Sequence, residues 1–262
     1  MPDDRESVLL RDIADGVATL TLNRPRQRNA LSMALLRELN AALADIADDK
    51  NVMVVVIRGN GPAFCAGHDL KEIRADVSEE AYSRTFRECA KLMTGIIKLP
   101  KPVIAQVHGI ATAAGCQLVA TCDLAIAADD ARFATPGVNI GLFCSTPMVA
   151  LSRNVGRKQA MEMLLTGEMI DADSAVGFGL VNRAVPADRL DSEVGELAAL
   201  ICEKSPLVVE IGKEAFYRQL EYGFEDAYEY TGAVMVKNML TDDAGEGIDA
   251  FLEKRRPVWT GT

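Results

Sequence analysis

Val103-Ile104-Ala105-Gln106-Val107-His108-Gly109-Ile110-Ala111-Thr112-Ala113-Ala114-Gly115-Cys116-Gln117 decides how this 262-residue chain folds. Val103–Val107 reads as a strand buried on both faces, bounded upstream by Pro100 and Pro102 and downstream by a turn at Gly109. The following Ala111–Gly115 carries almost no side-chain bulk and reads as the start of a helix. A buried strand that runs straight into a helix is the repeating unit of a wound α/β architecture.

The same rhythm recurs on either side. Val17–Leu22 alternates like a strand and ends at Asn23-Arg24-Pro25. Ser32 is placed to cap a helix whose apolar positions Leu35, Leu36, Leu39, Leu43 and Ile46 follow helical spacing. Val52–Ile57 is a continuous apolar run bounded by Gly59 and Gly61, a second buried strand. A loop over 61–71 precedes a long helix from a Ser78 cap towards Leu99, with Tyr82, Phe86, Cys89, Met93 and Ile97 expected on its buried side. Leu124–Ala128 reads as strand again. From about Asp188 only helical spacing remains, in segments near 190–203, 207–221, 224–239 and 243–254. The expected organisation is therefore a core over 1–190 and a helical region over 191–262. Tyr217, Phe224, Tyr228, Tyr230 and Met235 suit that region equally to subunit packing and to the core of a monomer.

The bulk numbers exclude several roles. With 49% hydrophobic and 25% charged residues the chain builds a sizeable core and is not a disordered segment. A net charge of −10 argues against nucleic acid and anionic membrane surfaces as partners, although local cations still allow an anionic ligand. No apolar run approaches the ~18 residues of a membrane-spanning helix. The first residues, Met1–Glu6, are acidic and polar, unlike a signal or transit peptide, which points to the cytoplasm. Cys65, Cys89, Cys116, Cys122, Cys144 and Cys202 form no CxxC pair and only His68 and His108 are available to join them, so they read as reduced thiols and no metal site is expected.

Two stretches are suited to chemistry. Ala63-Phe64-Cys65-Ala66-Gly67-His68-Asp69-Leu70-Lys71 is a loop of small residues opening a helix, and Gly109–Gln117 is its counterpart. Helix N-termini present unpaired N–H donors and favour negative charge, and small residues let a ligand approach the backbone. Two such turns side by side make a two-donor oxyanion hole. Tight helix–strand packing without any ligand accounts for the same composition.

These residues resemble the enoyl-CoA hydratase/isomerase (crotonase) superfamily, in order and over nearly the whole chain. The likeness is carried by Asn23-Arg24-Pro25 with Asn29-Ala30-Leu31, by Ala63–Lys71, by Lys101–Ala105, by Gly109–Gln117 and by Cys122-Asp123-Leu124. Met161–Gly167, Gly179-Leu180-Val181 and Phe251–Arg256 continue it. The resemblance implies an α/β, crotonase-like spiral of repeated ββα units with a helical C-terminal trimerisation region, assembled as a homotrimer or a dimer of trimers. It implies an acyl-CoA thioester as ligand, with coenzyme A present only as part of the substrate and no permanently bound cofactor. The thioester oxygen is then held by the N–H groups of His68 and Ala114. Ala66, Asp69, Leu70 and Lys71 line the coenzyme, Arg24, Arg26 and Arg28 meet its phosphates, and Phe251 and Lys254 cover its adenine end. Solvated basic surface is the alternative for each of these Arg and Lys residues.

The pattern breaks at two positions. Hydratases of the family use two glutamates, and Gln117 and Gly137 stand in their places. Gln orients a water but carries no proton near neutral pH, and Gly does neither. His68 is the best candidate to substitute, with a hydrogen-bonding wall residue as its alternative role. Asp69 reads as a helix cap, and Cys116 and Cys144 as small wall groups. Three activities follow as expectations: a hydratase-type lyase, decarboxylation of a malonyl- or methylmalonyl-CoA-type ester, and binding of a CoA ester without catalysis.

Overall fold

Apolar runs separated by helices line up here into one sheet, as their burial on both faces requires. The computed structural model describes residues 7–262. Along the chain, β1 (Leu9–Ala14) and β2 (Val17–Leu22) form a hairpin, followed by α1 (Met33–Asp48), β3 (Val54–Gly59), α2 (Leu70–Ala75) and α3 (Glu79–Lys98). Then come β4 (Val103–Val107), β5 (Ile110–Thr112), α4 (Ala114–Thr121), β6 (Leu124–Ala128) and β7 (Arg132–Ala134). The second half holds α5 (Pro147–Asn154), α6 (Arg157–Thr166), β8 (Ile170–Asp171), α7 (Ala172–Phe178) and β9 (Arg183–Val185). Four helices finish the chain: α8 (Leu190–Cys202), α9 (Pro206–Gln219), α10 (Phe224–Met239) and α11 (Asp242–Glu253).

The main sheet has six strands in the order β1-β2-β3-β4-β6-β9, antiparallel at β1–β2 and parallel elsewhere. A second sheet, β5-β7-β8, stands beside it. One face of the main sheet packs on α1, α3 and α4 through Leu20, Leu36, Leu39, Ile57, Leu92 and Ile96. The other face, with Val54, Val56, Ile104 and Ile126, is covered by Leu190, Val194 and Ala198 of α8. Hence α8 belongs to the packing of the sheet, and the chain does not part into two packing units at residue 190. Helices α9–α11 lie outside it and keep large apolar groups exposed, among them Phe224, Tyr228, Leu240 and Phe251.

Three local expectations change. The strand expected at Val52–Ile57 begins at Val54, because the Val52 N–H closes a turn onto the Asp49 carbonyl (3.1 Å). Ile110–Thr112 is a short strand paired with β7, so the helix begins at Ala114 and not at Ala111. On α3 the buried stripe is Ala81, Cys89, Leu92, Met93 and Ile96, while Phe86 is 41% exposed and Tyr82 half-buried. Those two aromatics line a groove instead of the core.

One buried ion pair pins α9 to the sheet. Lys213 Nζ donates to Asp123 Oδ2 (2.6 Å) and to the carbonyls of Ile96 and Lys101, and Tyr217 donates to Asp123 Oδ1 (2.8 Å). Burial pulls the Lys213 ammonium below its usual range, and Asp123 opposes that pull.

Candidate functional site

The two small-residue stretches meet backbone to backbone. Cys65 donates its N–H to Ile110 (3.1 Å), Thr112 returns its N–H to Cys65 (3.0 Å), and the Thr112 hydroxyl reaches the Ala66 carbonyl (3.1 Å). A side chain at Gly115 would overlap the Cys65 carbonyl, so glycine there permits this approach. From the other side Leu31 holds the loop, donating to Gly67 (2.8 Å) and accepting from Asp69 (3.1 Å). Buried Asn29 ties its start, donating to the Asn60 and Ala63 carbonyls and accepting from the Arg24 N–H.

Within this frame the N–H groups of His68 and Ala114 are left without an acceptor among the described residues. Each follows a residue at positive φ: Gly67 at +98° and Ala113 at +51°. For alanine that geometry is strained, at a cost of about 1–3 kcal/mol, and such strain gathers where function requires a fixed direction. Ala113 is over-determined by its neighbours, donating to the Ala134 carbonyl (2.9 Å) and accepting from Gln117 N–H (3.0 Å). A Cβ placed on Gly67 would lie only 3.4 Å from Ala114 N, so the two turns are in direct contact. The arrangement leaves two unpaired N–H groups on touching turns, one of them at the start of α4, and unpaired donors of this kind suit a developing oxyanion.

Polar side chains beside the donors are neutral and unpaired. Both ring nitrogens of His68, Oε1 of Gln117 and Oγ1 of Thr135 are buried without a partner. The His68 ring rests edge-on against Phe86, centroids 5.6 Å apart. Burial pushes its imidazole below the usual 6.5, and the nearby Leu31 carbonyl opposes this more weakly. His68 is therefore neutral at pH 7. Gly137 is buried, and a Cβ there would meet the Leu142 carbonyl at 2.8 Å and Cys144 Sγ at 2.9 Å. Burial drives the Cys65 and Cys116 thiols up to about 12 and raises Cys144, so none is a nucleophile at neutral pH.

The expected coenzyme-side residues divide. Asp69 caps α2, accepting from Lys71 and Glu72 N–H, and pairs with Arg24 (2.8 Å). Burial alone would raise the Asp69 carboxyl, but the Arg24 and helix N–H bonds overcome it and leave it lowered. The other terminal Arg24 nitrogen donates to the Ala30 carbonyl, so both ends of this guanidinium are engaged in bracing the loop. Arg26, Arg28, Leu70 and Lys71 are exposed, and Ala66 is half-buried. Phe251 is 81% exposed on α11 and Lys254 follows that helix at positive φ; no hydrogen bond among the described residues ties either to the 63–71 loop. A groove of about 690 Å³ runs along α3 past Val77, Tyr82, Phe86 and Ala90, and Phe86 is the lining residue whose ring also meets His68. Asn29, Phe86 and Thr135 escaped the sequence reading in these roles. Asn29 offered a signal, since a polar residue between Arg28 and Ala30-Leu31 is suited to a buried turn; Thr135 offered none.

Comparison with known proteins gives concordant matches. The family profile described as "Enoyl-CoA hydratase/isomerase" matches residues 12–262. "Enoyl-CoA hydratase domain-containing protein 3, mitochondrial" of Xenopus laevis is 51% identical over 94% of this chain and 83% of that protein. The crystal structure of an enoyl-CoA hydratase from Mycobacterium smegmatis superposes with a TM-score of 0.95 at 56% identity, over 97% of this chain and 99% of that one. Human enoyl coenzyme A hydratase domain-containing protein 3 gives 0.94 at 46%, over 96% and 100%. The expected spiral with a helical C-terminal region is borne out by these overlays. The expected cytoplasmic location is overturned: the Xenopus, rat and human relatives carry "mitochondrial" in their names. That expectation had rested on Met1–Glu6, which lie outside the described residues.

Proposed function

This chain belongs to the enoyl-CoA hydratase/isomerase family, and from that membership we propose that it binds an acyl-CoA thioester and holds the thioester oxygen on the N–H groups of His68 and Ala114. One observation supports the reading: these two N–H groups lack acceptors, and the positive-φ residues before them lie on turns that touch. Coenzyme A arrives as part of the substrate, lined by Ala66, Leu70 and Lys71 with Arg26 and Arg28 at the exposed rim. Arg24 and Asp69 brace that wall. Copies of the chain associate through the exposed apolar faces of α9–α11, which brings Phe251 and Lys254 into an assembly as candidate cover for the adenine end.

The reaction proposed is hydration of an enoyl thioester. Water oxygen adds to the β-carbon, the π electrons move onto the thioester oxygen, and the enolate is stabilised by the two donors. Gln117 Oε1 accepts a hydrogen bond from that water. The neutral His68 imidazole takes the water proton, and a proton is returned to the α-carbon. Each oxyanion donor contributes about 10²–10³-fold, and a positioned general base about 10²–10⁴-fold. With one imidazole in place of two carboxylates, turnover is slower than in a two-glutamate enzyme.

Decarboxylation is favoured as a second reading by Gln117 and Gly137 themselves. Loss of CO₂ from a β-carboxylated thioester leaves the same enolate and needs no base. The deciding experiment mixes the protein with crotonyl-CoA, and separately with malonyl- and methylmalonyl-CoA, following loss of enoyl absorbance and release of CO₂. Hydration lost in His68→Ala supports the first reading, and CO₂ release the second. Binding without either reaction leaves a CoA-ester binder.

A further inference from the structure

A second cleft lies on the α8 side of the main sheet, at the carboxyl ends of β2, β3 and β4, where parallel sheets commonly receive ligands. Its volume is about 380 Å³, within the range of small-molecule sites. None of its lining residues belongs to the thioester site proposed above.

Strand register builds the floor of the cleft. Thr21 pairs with Arg58, and Arg58 with Gln106, so the three side chains form one row across three strands. Side chains alternate between faces, which puts Arg58 on the face of Val54 and Val56, and Gln106 on that of Ile104. The apolar layer under α8 thus ends in a polar row, of which Thr21 and Gln106 are more than nine-tenths buried. Buried polar groups are hydrogen-bonded as a rule, yet pairing within this row is incomplete. Arg58 Nε donates to Thr21 Oγ1 (3.1 Å), and its two terminal nitrogens meet no acceptor among the described residues. Gln106 Nε2 donates to Asp191 Oδ1 (2.5 Å), which leaves the Gln106 amide oxygen without a donor among the described residues. His108 Nε2 lies 2.8 Å from the Gly61 carbonyl, which only accepts, so Nδ1 of the neutral ring is left as an acceptor. Asp188 and Asp191, both exposed, form the wall contributed by the start of α8 and the turn before it.

We propose that this cleft binds a small zwitterion of the α-amino acid class. Its carboxylate takes the two free ends of the Arg58 guanidinium, a fork that matches carboxylate geometry. Its ammonium meets Gln106 Oε1 and the carboxylates of Asp188 and Asp191, groups that only accept. Neighbouring strands lie about 4.8 Å apart, so one small molecule reaches both the Arg58 and the Gln106 end of the row. A phosphate dianion fits less well: Asp188 and Asp191 repel it, and Gln106 Oε1 and His108 Nδ1 offer it no proton.

Calorimetric titration of the full chain with each proteinogenic L-amino acid tests this, with acetate, inorganic phosphate and methylamine as single-charge probes. At least one amino acid is expected to bind with a Kd of about 1 mM or tighter, and about tenfold or more tighter than any of those probes. Saturating CoA should leave that affinity unchanged, since the two sites share no residue. Arg58→Gln and Asp191→Asn should each weaken it about tenfold or more, with thermal melts confirming that both variants fold. Binding of no amino acid overturns the proposal, and so does acetate or phosphate binding as tightly as any of them. An affinity that survives in both folded variants, or that is lost when CoA is present, overturns it too.

Discussion

Gly67 and Ala113, the residues immediately before the two free N–H donors, both adopt positive φ and touch: a Cβ on Gly67 would stand 2.9 Å from the Ala113 Cβ. The direction of each donor is thus set by a turn that its neighbour braces. Gly67→Ala places a methyl in that contact and in an unfavourable φ at once. It is expected to lower stability by about 1–3 kcal/mol and acyl-CoA turnover by about 10²-fold or more, the worth of one donor. Ala113→Gly relieves strain at a position whose hydrogen bonds are all backbone, and should melt no lower than the wild type. Urea titrations and crotonyl-CoA assays on both variants check this; a fully active Gly67→Ala would show that the turn does not aim the donor.

His68 links the site to pH. Its folded-state value is lowered by burial, so on acidification the unfolded chain takes up its proton first, near 6.5. Stability from this group is complete above that pH and is lost as pH falls, because the unfolded state then binds more protons. The urea midpoint should drop between pH 7.5 and pH 5.5 more in the wild type than in His68→Phe. For the proposed hydration the acid limb of kcat should lie below pH 6.5, where the imidazole ceases to be a base. Identical midpoint losses in both proteins would place His68 outside the buried site.

Much of this was readable in the chain because it repeats simple signals. Ser32 and Ser78 cap helices as their spacing predicted, each accepting from the N–H three residues on, and Asp69 caps α2. Small residues and family likeness together pointed to His68 and Ala114, whose N–H groups have no acceptor among the described residues. What stayed hidden depends on contacts between distant segments. Ile110–Thr112 becomes a strand only because Arg132–Ala134 lies beside it. Arg24 looked free for a phosphate, and its engagement by Asp69, 45 positions away, carries no local signature. Phe86 fits the apolar period of α3 but faces the groove, since Leu92 and Ile96 already fill the contact with the sheet side.

The Lys213–Asp123 pair makes the outer helices depend on the sheet. Both side chains are nearly inaccessible, and Asp123 also accepts from Val103 N–H (2.7 Å) and from Tyr217. Removing one partner leaves the other charge buried, at about 3–5 kcal/mol. Asp123→Ala and Lys213→Ala should each lose that much, and the double variant clearly less than their sum. Additive losses in chemical denaturation would mean that the pair is solvated and not a buried pin.

Gln117 and Gly137 differ in whether a glutamate fits. Gln117 is buried on α4 with its amide oxygen unpaired, and glutamate has the same shape. Gln117→Glu should fold, and burial will raise the new carboxyl so that it can exchange a proton. Crotonyl-CoA hydration should then rise by about 10²-fold. At Gly137 the loop folds back on itself: Leu142 donates its N–H to the Gly137 carbonyl (2.9 Å), and the Leu142 carbonyl and Cys144 Sγ occupy the space a side chain needs. Gly137→Glu must push that loop away, an overpacking cost of about 1–3 kcal/mol. The double variant should therefore melt lower than Gln117→Glu and hydrate no faster, because the second carboxyl arrives only by displacing residues 141–144. Thermal melts and enoyl absorbance on the three variants decide it. A double variant both more active and as stable would show that the loop yields freely, and that Gly137 marks a lost catalytic group and not a steric requirement.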